Sequence, residues 1–148
     1  MSNKICCFFG HRDTSEAIRP ALYAEIERHI TQYGVTVFYV GKHGSFDRMS
    51  VAVLCEVKEK YPHIEICLIH SYMPVKKDEY EEKLYDGTLL PNGMELVPKK
   101  FAITHRNRFV AEQSGYVIAY VRTSCGGAYE AVQYAKRKNK RVTNLAPE

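Results

Sequence analysis

No apolar run in this sequence is long enough to cross a membrane. A transmembrane helix needs about 20 apolar residues, and no stretch of the chain approaches that length. Near the amino terminus, Lys4 is followed by only five apolar residues before Gly10, too few for the hydrophobic region of a signal peptide. We therefore expect a cytoplasmic protein with no membrane partner.

Paired metal ligands are also missing. The five cysteines are an odd number, and Cys6, Cys7, Cys55 and Cys67 all lie in apolar patterns. Cysteines of this kind are typical of the core of a reduced protein. Because Cys6-Cys7 has no matching ligand pair elsewhere in the sequence, we expect no metal site, and nothing in the sequence calls for a resident cofactor.

Two well-known nucleotide-binding motifs are absent. No Gly-Lys-Ser/Thr sequence ends a loop of Walker A length. The spacing of Gly41 and Gly44 does not fit the G-x-G-x-x-G fingerprint of dinucleotide-binding proteins. A nucleotide would therefore have to bind in another way.

The composition is that of an ordinary globular domain. The chain has 148 residues, of which 45% are hydrophobic and 26% charged, and it has no low-complexity segment or internal repeat. Its net charge of +4 suits an anionic small ligand and does not require nucleic acid. We predict a single domain over residues 1–148.

Apolar runs alternate with amphipathic segments along the chain. Five runs predict strands, and the first of them has the continuous apolar character of a strand buried on both faces. The predicted strands are 5–9, 35–40, 64–69, 116–121 and 141–145, and the later predicted helices are 101–113 and 128–138. The first helix is predicted to begin near Arg19 and to end at Gly34, and the second to begin with Asp47 as its cap. Short helical crossovers of this kind imply a parallel sheet.

Residues 71–98 interrupt this alternation. The segment contains three prolines together with the turn pairs Asp86-Gly87 and Asn92-Gly93. A long insertion after the carboxyl end of a strand is often a lid or a binding loop. Its tyrosines, Tyr72, Tyr80 and Tyr85, could stack on a flat ligand or could simply cover the fold.

Glycine loops follow three of the predicted strands, at Gly10, at Gly41 and Gly44, and at Gly126-Gly127. Glycine allows backbone N–H groups to approach a phosphate, and a helix N-terminus adds a partial positive charge. Ligands of open α/β sheets collect beyond the carboxyl ends of the strands. The three loops together therefore favour a nucleotide-type ligand.

Polar side chains accompany these loops. Arg12 could hold a phosphate and His11 could exchange a proton near neutral pH, although both could simply bond to neighbouring loops. Arg106 and Asn107 interrupt an amphipathic helix, where they lie either at the rim of the sheet or on a solvated face. Glu130 lies in the first turn of the last helix, where it favours the helix dipole and could also act as a catalytic carboxylate.

The basic run 136–141 ends the last predicted helix. Cations at that position favour the helix dipole and solvate the surface. A surface for single-stranded nucleic acid needs aromatic residues among its cations, and no aromatic residue interrupts this run. We therefore do not expect nucleic acid as the partner.

Several short motifs together resemble the SLOG superfamily, which holds the DNA-processing protein DprA, the LOG phosphoribohydrolases and the YpsA-like proteins. The motifs are Phe-Phe-Gly-His-Arg after the first strand, Gly-x-x-Gly-x-Phe-Asp after the second, Arg106-Asn107-Arg108-Phe109, and Gly-Gly-Ala-Tyr before Tyr134-Ala135-Lys136-Arg137-Lys138. They occur in the same order nearly from end to end. The sequence is most similar to the YpsA-like branch.

The resemblance implies a Rossmann-like three-layer α/β sandwich with a mainly parallel five-stranded sheet. It also implies binding of a nucleotide or nucleotide-derived ligand, such as a nucleoside monophosphate or ADP-ribose. The implied ligand-binding residues are Gly10, His11, Arg12, Gly41, Gly44, Asp47, Asn107, Ser124, Gly126 and Gly127. A homodimer is a further expectation from the family.

Two alternatives also follow from the resemblance. The first is a LOG-like hydrolase that cleaves the N-glycosidic bond of a nucleoside monophosphate, with Arg106 and Glu130 as catalytic residues. In that case the Glu130 carboxylate would stabilise an oxocarbenium-like ribosyl centre. The sequence leaves open whether the chain is an enzyme. The second alternative is DprA-like binding of single-stranded DNA.

Overall fold

The fold, taken from a computed structural model, is described for residues 4–72 and 83–147. The strands of this part of the chain are β1 (Ile5–Gly10), β2 (Val37–Val40), β3 (Glu65–Ile69), β4 (Gly87–Leu89), β5 (Tyr116–Tyr120) and β6 (Arg141–Asn144). Its α-helices are α1 (Arg19–Tyr33), α2 (Ser45–Lys60), α3 (Ala102–Gln113) and α4 (Gly127–Arg137). Short 3-10 helices span Glu16–Ile18, Met94–Leu96 and Lys99–Phe101. None of the described helices is both long and apolar enough to span a membrane.

The strands form one parallel sheet in the order β4-β3-β2-β1-β5-β6. The first strand of the chain therefore lies inside the sheet, with β2 on one side and β5 on the other. Its register places Cys7 opposite both Tyr39 and Val117. The predicted α/β class and parallel sheet are confirmed.

The two faces of β1 belong to two different cores. Cys6 and Phe8 pack with residues of α1 and α2 on one face of the sheet. Cys7 and Phe9 pack with residues of α3 and α4 on the other face. Successive side chains of a strand point to opposite faces, so a strand covered on both sides must be apolar at every position. This arrangement gives the three layers that were predicted.

The described sheet has a sixth strand that the sequence did not predict. All three residues of β4 are exposed, so the strand carries no apolar alternation. Pairing with β3 holds it in place, and the Asp86 carboxylate accepts a hydrogen bond from the Ile66 N–H at 2.8 Å. This strand lies within the predicted insertion 71–98. Residues 73–82, including Tyr80, lie outside the described part of the chain, so the lid remains a prediction.

The ends of the first two helices show how local sequence set their limits. Helix α1 has Pro20 in its first turn and ends at Gly34, whose φ of 71° gives a left-handed cap as predicted. Helix α2 begins at Ser45 after Gly44, and no side chain caps it. The predicted capping by Asp47 is therefore wrong. Its carboxylate instead accepts a hydrogen bond from the His43 N–H at 2.8 Å, before the helix begins.

Close packing explains the glycine at the end of β1. A Cβ atom on Gly10 would lie 2.3 Å from the Cγ and Cδ2 atoms of the Phe46 ring. Phe46 is fully buried in the core between the sheet, α1 and α2. The ring occupies the space that a side chain at Gly10 would need, and this contact brings the first turn of α2 against the end of β1.

We expect Gly10→Ala to reduce the free energy of unfolding by about 1–3 kcal/mol, because the buried Phe46 ring would have to move. Urea unfolding followed by circular dichroism measures this loss. Gly87→Ala is the matched control, since a Cβ at Gly87 meets nothing within 4 Å. Its effect should stay within about 0.5 kcal/mol. Equal stability of the two variants would contradict the packing role of Gly10.

Candidate functional site

A pocket of about 340 Å³ opens at the carboxyl end of β1. Four segments line it: the end of β1 and the residues that follow it, the loop into α2 with the first turn of that helix, the first half of α3 and the start of α4. The predicted site residues in its wall are Gly10, His11, Arg12, Asp47, Arg106, Asn107 and Gly127. The other lining residues are Phe8, Phe9, His43, Ile103 and Ala128. The parallel sheet thus brings together residues that are more than 100 positions apart in the sequence.

Arg106 is the buried cation of the pocket. It is 4% exposed, and its Nε donates a hydrogen bond to the Ile69 carbonyl at the end of β3 at 3.2 Å. Its Nη1 donates to the Asn107 Oδ1 at 2.9 Å. Burial lowers the pKa of the guanidinium, and the nearby Asp47 carboxylate opposes that change. Arg106 therefore ties α3 to the end of the sheet, with Asp47 as its counter-charge.

Asp47 lies near Arg106 on the opposite layer of the fold. Burial raises the pKa of its carboxyl, while the Arg106 charge and the hydrogen bond from the His43 N–H lower it. Gly41 makes room for both side chains. A Cβ atom there would lie 2.8 Å from Nη2 of Arg106 and 2.9 Å from Oδ2 of Asp47. The glycine after β2 is therefore needed for this charge pair.

His43 extends the wall of the pocket, although it was not among the predicted site residues. Its Nε2 forms a hydrogen bond with the Ser71 hydroxyl at 3.3 Å. Burial lowers the pKa of its imidazole, against the opposing effect of Asp47. The neutral ring therefore predominates at pH 7. His43 lies in a loop between Gly41 and Gly44, where the sequence has no helical or strand periodicity that could have indicated a site residue.

His11 supports the loop after β5. Its Nε2 accepts a hydrogen bond from the Arg122 backbone N–H at 2.9 Å, and the backbone N–H of His11 donates to the Tyr120 carbonyl at 3.3 Å. Acceptance at Nε2 requires that this nitrogen be unprotonated. The sequence offered two interpretations of His11, proton exchange or bonds to neighbouring loops. The structure shows bonds to a neighbouring loop.

Arg12 combines a fixed backbone with an exposed side chain. Gly44 has a φ of 99°, and a Cβ there would lie 2.6 Å from the Arg12 Cα. The Ser45 N–H donates to the Arg12 carbonyl at 2.9 Å. Within residues 4–72 and 83–147, no carboxylate forms an ion pair with the Arg12 guanidinium. Its charge helps to lower the pKa of the Asp47 carboxyl, and the exposed guanidinium can also meet an anion in the pocket.

The glycine pair after β5 differs from the other glycine loops. Gly126 has a φ of 101°, which favours glycine, and it precedes α4 as its N-terminal cap residue. A Cβ at Gly126 or at Gly127 would meet nothing within 4 Å. Of the two, Gly127 lines the pocket, whereas Gly126 and the exposed Ser124 lie outside its wall. The free N–H groups at the start of α4 suit an anion.

Glu130 does not line the pocket that contains Arg106. It is exposed in a neighbouring groove of about 190 Å³ between α3 and α4. The groove and the pocket share Ile103, Asn107 and Gly127 in their walls. The two predicted catalytic residues therefore belong to adjoining depressions. Their pairing in a hydrolytic reaction remains a prediction.

One aromatic ring in the wall of this groove is surrounded by a cluster of cations. Arg108, Arg137 and Lys138 each place a cationic group 5.4–5.8 Å from the centroid of the Tyr134 ring. The basic run was predicted to lack aromatic partners because none interrupts it in the sequence. Helical spacing supplies one, since residues three and four positions apart share a face.

We expect Arg106→Met and Asp47→Asn to be coupled in their effect on stability. Removing the buried guanidinium leaves the Ile69 carbonyl without its donor and the Asp47 carboxylate without its counter-charge, so Arg106→Met should cost about 1–3 kcal/mol. Asp47→Asn should lower the free energy of unfolding less in the Arg106→Met variant than in the wild type. The difference between the two losses, measured by urea unfolding, is the coupling free energy, which we expect to be about 0.5–3 kcal/mol. The exposed Arg48→Met, combined with Asp47→Asn, serves as the additive control. Additive effects of Arg106→Met and Asp47→Asn would contradict the pairing.

Comparison with solved structures identifies proteins of the same fold. DNA processing protein A (DprA) from Streptococcus pneumoniae has a TM-score of 0.67 and 14% identity, over 94% of this chain and 49% of that one. DprA from Helicobacter pylori, whose structure describes a single-stranded DNA binding mode, has a TM-score of 0.69 and 16% identity, over 99% of this chain and 66% of that one. The chain thus spans about half of the first relative and about two thirds of the second. No protein-family model and no curated protein matches the sequence.

The likeness shows that this chain shares the fold of DprA proteins, and the similarity to the YpsA-like branch stays a prediction. Both neighbours are DprA proteins, which have the SLOG-type fold. The expectation that nucleic acid is not the partner is wrong as a deduction from this fold, because the Helicobacter pylori neighbour binds single-stranded DNA. That expectation rested on the absence of aromatic residues within the basic run, whereas Tyr134 lies among the cations in space. The chain has the Rossmann-like α/β fold of the DprA proteins.

Proposed function

We propose that this chain binds single-stranded nucleic acid, with one nucleotide unit held in the pocket at the end of β1. One observation carries the proposal. The Arg12 guanidinium, which forms no ion pair within the described residues, and the open start of α4 at Gly127 line the same pocket. A cation and a free helix N-terminus are complementary to a phosphate group.

The phosphate would be held by two kinds of group. Arg12 offers a planar guanidinium for two parallel hydrogen bonds to phosphate oxygens. The first N–H groups of α4 have no partner within the helix, and the missing side chain at Gly127 leaves the approach to them open. Arg106, buried in the wall of the pocket, would add positive electrostatic potential while it keeps its hydrogen bonds to Ile69 and Asn107.

The sugar would lie against the opposite wall. Asn107 accepts from Arg106 through its Oδ1, which leaves its Nδ2 to donate to a sugar oxygen. Asp47 offers its Oδ1, since Oδ2 is occupied by the His43 N–H. Ile103 provides an apolar surface beside these polar groups. These contacts suit the sugar of a nucleotide without selecting a base.

Charge outside the pocket favours a polymer over a single nucleotide. The groove between α3 and α4 adjoins the pocket and contains Arg108 and Arg137 beside Tyr134. A mononucleotide in the pocket would leave these cations unused, whereas the next phosphate of a strand would neutralise them. The single-stranded DNA binding of a DprA protein with this fold supports the same partner class.

A free nucleotide is the second candidate. A pocket of about 340 Å³ lies within the usual range for small-molecule sites. The motifs that resemble the YpsA-like branch also suit a free nucleoside monophosphate or ADP-ribose. A LOG-like reaction is less well supported by the geometry, because Glu130 is outside the pocket that holds Arg106.

We expect Arg12→Gln and Gly127→Ala each to weaken binding of a fluorescent dT20 oligonucleotide by about tenfold or more. The first variant loses a charged hydrogen bond, and the second places a methyl group in the approach to the start of α4. Fluorescence anisotropy at several salt concentrations measures this loss. The salt dependence should also fall by about 0.7 in slope for Arg12→Gln, which removes one phosphate contact. Gly127→Ala should not lower the free energy of unfolding, because a Cβ at that position meets open space and alanine favours a helix over glycine.

Lys60→Gln is the matched charge control for these variants. Lys60 ends α2, which runs back from the carboxyl end of β2 toward the amino end of β3, so this lysine lies far from the pocket. Its substitution should leave the affinity for dT20 within about twofold. The proposal is overturned if the wild-type chain does not bind dT20 at low salt, or if both pocket variants bind like the wild type.

We expect dT20 to bind more tightly than dTMP or AMP, and Arg137→Gln to weaken binding of dT20 only. The reason is that the groove cations can contact a second phosphate but not a mononucleotide in the pocket. Competition against labelled dT20 measures all three ligands. Equal affinity for AMP and dT20 would favour the second candidate. Release of free base from AMP that is lost in Glu130→Gln would establish the hydrolase instead.

A further inference from the structure

Two exposed aromatic side chains lie beside lysines between β3 and α3. Tyr72 is 46% exposed and Phe101 is 48% exposed, and they are the exposed aromatic residues of the described chain. The Lys99 Nζ lies 5.4 Å from the centroid of the Tyr72 ring, and the Lys100 Nζ lies 5.1 Å from that of Phe101. Two pairs of a ring and an ammonium group are thus joined through the neighbouring residues Lys99 and Lys100.

This surface adjoins the pocket at two points. The ring of Tyr72 lies 6.5 Å, between centroids, from the ring of His43, which lines the pocket. Ser71, the preceding residue, is bonded to the same histidine at 3.3 Å. On the other side, Ile103 lines the pocket two residues after Phe101. A chain leaving the pocket past His43 or Ile103 would therefore meet the two rings.

Unlike other aromatic residues of the described chain, Tyr72 and Phe101 are not covered by packing. Tyr85, from the same insertion, packs against the core, and Tyr33 stacks on Tyr116 at 5.2 Å between centroids. Tyr72 and Phe101 have about half of their surface in solvent instead. The sequence left open whether Tyr72 stacks on a flat ligand or covers the fold. Its exposed ring has a face that a flat partner can contact.

The charge at this surface favours a polyanion. Within the described residues, neither Lys99 nor Lys100 forms an ion pair with a carboxylate. Lysine can neutralise a phosphate as a point charge. Aromatic rings stack on unpaired bases without regard to sequence, and surfaces for single strands combine such rings with cations.

We infer that Tyr72, Lys99, Lys100 and Phe101 form a stacking platform for the unpaired bases of a strand that extends from the pocket. The inference rests on the proposed binding of single-stranded nucleic acid. In this arrangement the pocket holds one nucleotide, the two rings stack on bases outside it, and the two lysines neutralise the intervening phosphates. A mononucleotide in the pocket would not reach the platform.

The test compares dT20 with dTMP for the wild-type chain and for Tyr72→Leu/Phe101→Leu. Base stacking on an aromatic ring has an effect of at least about fivefold on affinity. We expect the double variant to bind dT20 at least about fivefold more weakly and dTMP unchanged. Leu96→Ala is the control for an exposed apolar side chain, since Leu96 is 83% exposed, and it should bind both ligands like the wild type.

Two further readouts separate stacking from charge. A dT oligonucleotide with one 2-aminopurine should lose fluorescence on binding to the wild type, because stacking quenches that base, and should keep more of it with the aromatic double variant. Lys99→Gln/Lys100→Gln should retain the quenching but lower the slope of the salt dependence by about 1.4, the contribution of two phosphate contacts. Tyr72→Phe keeps the ring and should behave like the wild type.

The outcomes distinguish this inference from the function on which it rests. If the wild type binds dT20 and the aromatic double variant binds it equally well with full quenching, the platform is wrong and the proposed function stands. If the double variant loses dTMP as well, the rings support the pocket and the platform is again wrong. If the wild type does not bind dT20, both the platform and the proposed function are wrong. Thermal unfolding by circular dichroism verifies that each variant is folded.

Discussion

The buried charge of Arg106 is the constraint that organises the carboxyl end of the sheet. An uncompensated charge in a protein interior is costly, so it must be paired and hydrogen-bonded. Arg106 meets this requirement by bonding to the last carbonyl of β3 and to Asn107, with Asp47 as its counter-charge. These partners belong to both helical layers and to the sheet between them. The position of α3 relative to the strand ends is therefore fixed by electrostatics as well as by apolar packing.

The glycines of this site show that one residue type serves two purposes. Gly10 and Gly41 lack side chains because Phe46, Arg106 and Asp47 occupy the space that a Cβ would need. The missing side chain at Gly127 leaves open space next to a helix N-terminus instead. From the sequence alone, the three glycine loops were expected to have the same role. Only the positions of distant residues decide which glycine is required by packing and which leaves room for a ligand.

The predictable part of the fold came from long, buried elements. Strand β1 was predictable because burial on both faces demands apolar residues at every position, and α1 because Pro20 and Gly34 mark its ends. Strand β4 was not predictable, because its three residues are exposed and pairing with β3 alone defines it. Most of the pocket wall followed from the rule that ligands collect at strand ends. His43 was missed, and Glu130 was expected there, because helix phase and loop paths are set by tertiary packing.

The same limit explains the mistaken expectation about nucleic acid. A net charge of +4 is modest for 148 residues, and aromatic residues do not interrupt the basic run. Nevertheless, helical spacing and chain folding place Tyr134 among three cations and Tyr72 beside Lys99. Non-specific attraction to a polyanion scales with the number of phosphates neutralised, so a modest net charge limits it. Stacking does not depend on salt in this way. If the proposed function holds, a chain with few excess cations but exposed rings near its pocket is expected to prefer a flexible single strand, whose bases can unstack, over a duplex.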